Sequence, residues 1–186
     1  MVSELIKRVV RASLILVILG LFVTAGCTPA PSQAAWVRAN GGLVGSAHLA
    51  RVQAAQGLLK SSDTGAIRVS VINSDAVGAY AWPGGDVYVT RRLVDLLDQQ
   101  ELAAALAHEM GHLIADDSAN PPSGLRGASD GQKSEISADA IGVGILVKQG
   151  IDRGVMTSML RKVCCSGSVS PGCRNAMLER IAILSH

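Results

Sequence analysis

The chain has 186 residues, 17 Lys plus Arg against 15 Asp plus Glu, a formal net charge of +2 and a hydrophobic share of 48%. That length and composition suit one domain with its own core and are short for two. The near balance of charge, with no dense run of Lys or Arg, argues against nucleic acid as a partner.

The first 26 residues read as a secretory signal: Lys7, Arg8 and Arg11 precede an apolar run from Leu14 to Val23, and the small pair Ala25-Gly26 follows. The run is short for a bilayer-spanning helix, which needs about 20 apolar residues. Thr24-Ala25-Gly26-Cys27 resembles the lipobox of bacterial lipoproteins, with Thr24 standing where Leu or Val is usual. The resemblance implies acylation of Cys27 and attachment to a membrane through the lipid. With Thr28 rather than Asp behind the cysteine, it favours the outer membrane, facing the periplasm. The plain alternative is an ordinary secretory signal with an incidental cysteine. Residues 27–35, with Pro29, Pro31 and Ser32, read as a tether, and 36–186 as the folded domain.

From Trp36 to Lys60 apolar residues fall at helical spacing, interrupted by Gly41, Gly42 and Gly45, which gives one broken helix or two. His48 within it reads as a packing or surface residue. Ile67 to Ile72, Val77 to Trp82 and Val87 to Thr90 are strand-like, the last two joined by a turn at Pro83-Gly84-Gly85-Asp86, and together they predict a small antiparallel meander. Asp98 with Glu101 three places on forms a capping box for a helix from Gln99 to about Ala115. Pro121-Pro122-Ser123-Gly124 breaks the chain. Helices are then expected over about Gln132–Gln149, ended by Gly150, over Asp152–Val163, and around Asn175–Leu184. Aromatic residues make up only 3%, so the core must come from small aliphatic side chains on close-packed helices. Cys164, Cys165 and Cys173 remain once Cys27 is set aside. In an oxidising envelope, a bridge from Cys164 or Cys165 to Cys173 is the favoured pairing, Cys165 with Cys173 being one form of it.

The chemistry lies in His108-Glu109-Met110-Gly111-His112. Two histidines four apart on a helix project from one face and can meet one ion. In this HExxH arrangement the Glu is not a ligand but a general base. A catalytic zinc site takes a third protein ligand, and Glu135 on the next expected helix is a candidate. Asp139, one turn further on the same face, could orient a ligand histidine. Read alone, this pair could be surface charges. Ile136, Ala138, Ala140, Ile141 and Val143 make the stretch apolar, where an unpaired carboxylate would be costly to bury.

Three segments, AYAWPGGDVYVTRRLVDLL, ELAAALAHEMGHLIADD and SEISADAIG, stand in an order that resembles the HtpX-like metalloendopeptidases. That family includes the CAAX prenyl proteases and the periplasmic outer-membrane quality-control proteases. The resemblance implies one zinc per subunit on His108, His112 and Glu135, Glu109 as base, and Asp139 closing an E-x-x-x-D segment. It also implies an α+β fold, a mainly helical zincin-type metallopeptidase domain with a small antiparallel sheet beside the HExxH helix. Two departures stand out: the stretch from His112 to Glu135 is shorter than in many relatives, and no His precedes Arg180-Ile181, the nearest Pro being Pro171. Arg180 is a candidate for neutralising a developing oxyanion, with a solvated surface arginine as the alternative.

The expected reaction is peptide-bond hydrolysis. An extended substrate would add a strand to the edge formed by Ala79, Tyr80 and Ala81, through main-chain hydrogen bonds indifferent to sequence. Unfolded or misassembled envelope polypeptides fit such a site. The competing reading is a non-catalytic chaperone or binding lipoprotein with structural zinc, which would want a fourth His or Cys and would leave Glu109 without a task.

Overall fold

Three helices of the domain begin at a residue whose side chain accepts from their orphan amides, Ser32, Thr90 and Asp98. The structure, a computed structural model, describes residues 32–59, 67–115, 128–166 and 171–185. The expectations placed on the signal, on Cys27, on the first part of the tether and on the break at Pro121 to Gly124 lie outside those residues. Ser32 caps α1 (Gln33–Ala39), its hydroxyl accepting from the Ala35 amide, so the helix starts inside the stretch read as tether. Gly41 and Gly42, both at positive φ, separate α1 from α2 (Ser46–Gly57), which settles the broken helix as two.

The strands are β1 (Arg68–Ile72), β2 (Ala79–Trp82) and β3 (Asp86–Thr90), in the order β1-β3-β2. β3 runs parallel to β1 and antiparallel to β2, so the sheet is mixed and the expected antiparallel meander is wrong. The reason is burial. β3 carries the fully buried Val87, Val89 and Thr90, whereas every residue of β2 is only half-buried, so β3 takes the central place and β2 the rim. Residues 73–78 carry the chain past the sheet to that far edge, and Gly84 and Gly85 at positive φ turn it back.

Thr90 then caps a short helix that the sequence reading did not anticipate, α3 (Arg91–Leu96), by accepting from the Leu93 amide. Behind it, the expected capping box is formed: Asp98 accepts from the amides of Gln100 and Glu101, and Glu101 from that of Asp98, opening α4 (Gln99–Ile114). α5 (Ala128–Lys148), α6 (Gly154–Cys165) and α7 (Pro171–Leu184) complete the chain. All described residues lie within one compact unit, Ser32–His186. Among them, no helix is long and apolar enough to cross a membrane.

α4 is the centre of the molecule: every residue from Glu101 to Gly111 is buried. A helix that is apolar nearly all round has to be covered on all sides, and α2, α5, α6 and β2 surround it. α5 comes closest, because Gly111 and Gly142 remove side chains at the crossing. A Cβ on Gly111 would lie 2.5 Å from the Ala138 carbonyl oxygen, and one on Gly142 would lie 3.1 Å from the Ala107 backbone. On the other side of the sheet, Trp36 of α1 packs against Tyr80, Trp82 and Tyr88, and Gln33 donates to Asp86 and the Tyr88 hydroxyl. His48 is a packing residue, its Nε2 3.0 Å from Asp95, which ties α2 to α3.

Among the described residues Cys164 and Cys165 are free thiols, and the expected bridge from either of them to Cys173 falls on a side chain outside those residues. Cys164 turns into the core of α6, where its thiol meets the Arg174 carbonyl at 3.8 Å, while Cys165 faces solvent. The side chain of Cys173 lies outside the described residues.

Candidate metal centre

The backbone contact of α4 with α5 decides what faces what. His108 and His112 lie on the α4 face turned to α5, and across the crossing stand Ser134, Glu135 and Asp139. The imidazole Nε2 atoms are 3.2 Å apart. Glu135 spans them, Oε2 lying 3.4 Å from His108 Nε2 and Oε1 3.4 Å from His112 Nε2. Among the described residues, these three form the group whose ligand atoms all lie within 4.8 Å of one another.

The separations fit zinc. Four ligands at roughly 2.0–2.1 Å around a tetrahedral ion stand about 3.3–3.4 Å from one another. The donor set, two imidazoles and a carboxylate, has the borderline character zinc takes, and three protein ligands leave one position free.

The far side of each imidazole is also held. His108 Nδ1 lies 2.9 Å from Asp139 Oδ1. A carboxylate only accepts, so Nδ1 carries a proton and Nε2 is the nitrogen turned to the common point, where a metal would take its lone pair. The Ser134 hydroxyl stands 3.4 Å from His112 Nδ1. Ser134 was not singled out in the sequence. Its position directly before Glu135, on a helix facing the HExxH face, was the available signal.

Glu109 is buried, 7% exposed. Burial pushes its carboxyl above the usual carboxylate range; His108 and His112 oppose the shift, Glu135 adds to it, and the Ala81 backbone amide favours the charged form. A carboxylate raised in this way is the better base near neutral pH. The partner amide belongs to β2, which among the described residues pairs with β3 alone. The Thr90 amide donates to the Gly78 carbonyl and the Gly85 amide to that of Trp82, so the alternation turns the N–H and C=O groups of Ala79 and Ala81 to the free edge. Tyr80 itself pairs with Tyr88 on β3. Burial, and then the Glu109 charge, raise the pKa of its hydroxyl.

Arg180 is buried, which corrects the reading of it as a solvated surface arginine, and its fork meets two carboxylates. It is 5% exposed and comes in from α7. Its Nε and Nη2 donate to the two oxygens of Asp139 at 2.6 and 2.7 Å, and Nη1 donates to Glu135 Oε2 at 2.7 Å. Burial works against ionised carboxylates here. The histidines and Arg180 outweigh it at Glu135, Arg180 and His108 outweigh it at Asp139, and both groups are held below the usual range.

With this geometry, the chain can be set beside known proteins. Residues 47–127 match the model of Peptidase family M48. The M48 match runs from α2 through the sheet and the whole of the HExxH helix, and it supports a metallopeptidase, a hydrolase of peptide bonds. It ends before α5 and α7, so Glu135, Asp139 and Arg180 join the M48-like segment through the geometry of the fold. Among curated proteins, none matches the chain.

Proposed function

We propose that the chain is a zinc-dependent metalloendopeptidase of the zincin type, acting on unfolded or misassembled polypeptides of the bacterial envelope. The observation that carries the reading is the meeting of His108, His112 and Glu135 at tetrahedral spacing, with Glu109 beside them at the free edge of β2. Zinc bound at such a group supplies a Lewis acid that polarises the scissile carbonyl and acidifies water. The rest is the work of the chain. Ala79 and the Ala81 carbonyl offer main-chain hydrogen bonds to an extended substrate, which suits polypeptides without regard to sequence. Glu109 takes the proton of the attacking water and passes it to the leaving amine. Asp139 holds His108 in the tautomer that binds.

Glu109→Gln separates the base from the ligands. It should keep its metal and its melting temperature, while cleavage of an unfolded protein falls by at least about 10²–10⁴-fold, the usual worth of a general base. Undiminished cleavage in that variant would remove Glu109 from the mechanism.

The location rests on the signal-like N-terminus and on Thr24-Ala25-Gly26-Cys27. An acyl anchor contributes about 0.8 kcal/mol per buried methylene, so Cys27→Ser should move the folded protein from the membrane fraction to the soluble one. A Cys27→Ser protein that still sediments with membranes would exclude the anchor.

A further inference from the structure

Among the described residues Arg180 is the buried arginine at the site, and the reaction proposed above makes no use of it. Its planar fork reaches two carboxylates of α5 at once: both oxygens of Asp139, and Oε2 of Glu135. Asp139 Oδ1 in turn meets His108 Nδ1. One guanidinium from α7 thus holds the residue that orients the first histidine and the residue expected to be the third ligand. The two oxygens of Glu135 are no longer equivalent. Both lie 3.4 Å from a ligand histidine, Oε2 from His108 Nε2 and Oε1 from His112 Nε2, but Oε2 alone also accepts from Arg180 Nη1, at 2.7 Å.

We propose that Arg180 is a positioning residue that commits Oε2 of Glu135 to itself, so that the carboxylate meets the metal through Oε1 alone and a coordination position stays open. This rests on reading His108, His112 and Glu135 as the metal site. The role requires a fork. A lysine has the charge but a single nitrogen, and cannot hold both oxygens of Asp139 while also reaching Glu135.

Cobalt(II) put in place of zinc in the whole protein gives a readout apart from activity, because its visible absorption is strong when four-coordinate and weak when five- or six-coordinate. The wild type should show the strong band. In Arg180→Gln and Arg180→Lys the band should weaken as Glu135 binds through both oxygens, and metal affinity should fall by about 10–100-fold, as losses behind the ligands do. The charge retained in the lysine variant should not rescue the spectrum. A wild-type spectrum and affinity in either folded variant, even at a lowered melting temperature, would overturn the proposal and leave Arg180 a purely structural residue. Failure of both variants to fold in the presence of metal would overturn it in the same way. If the wild type takes up no cobalt, the metal-site reading itself falls, and this inference falls with it.

Discussion

Burial alone would keep His108 neutral, yet Asp139 and Glu135 outweigh it and hold the metal-free imidazole protonated up to about 9. In the metal-free protein the His108 charge contributes stability that is fully present below the ordinary value of 6.5 and lost as pH rises through about 9. Metal takes the place of the Nε2 proton, so zinc uptake near neutral pH should release about one proton from this site. Calorimetric titration in buffers of different ionisation enthalpy measures that release. Uptake without proton release would mean that His108 is not a ligand. At this scale, the two histidines, Glu109, Glu135 and Asp139 were legible because each sits in a local pattern of helical spacing on an apolar stretch. Arg180 was not. It lies 41 positions from Asp139, and nothing local distinguishes an arginine that folds back onto a buried carboxylate from one that faces water.

At the scale of elements, the site depends on how closely α4 and α5 approach, and Gly111 sets that distance. Alanine there gains about 0.5–1 kcal/mol of helix propensity, but its Cβ would collide with the Ala138 backbone 2.5 Å away. Backbone cannot yield as a flexible side chain can. Gly111→Ala should therefore destabilise the fold by about 1–3 kcal/mol in denaturant unfolding, and weaken metal binding by moving Glu135 away from His108. A stabilised protein with unaltered metal affinity would show that the crossing does not constrain the site. Helix positions were largely legible, because caps and glycines are local: Asp98 and Glu101 form the expected box, and Gly150 takes the positive φ of a helix end. Two features were not. Thr90 ends a strand and caps a helix at once, and its β-branched side chain reads only as strand. The pairing order β1-β3-β2 is set by which strand is most buried, a property of the whole core.

At the scale of the molecule, four elements meet at the site. α4 brings His108, Glu109 and His112, α5 brings Glu135 and Asp139, α7 brings Arg180, and β2 brings the edge beside Glu109. The scarcity of aromatic residues has its counterpart in this arrangement. Ala103, Ala104, Ala105 and Ala107 line the buried helix, and their small side chains permit the close approach that places charged groups of separate helices within hydrogen-bonding distance. The metal would then be part of the fold as well as of the chemistry, since anything bound only by the folded state stabilises it. The direct measurement is metal content of the purified protein, read beside cleavage of an unfolded protein before chelation, after it, and after zinc is restored. About one zinc per chain is predicted, with cleavage lost together with the metal, a lower melting temperature in its absence, and both recovered on its return. Cleavage that persists in protein stripped of metal would contradict the account.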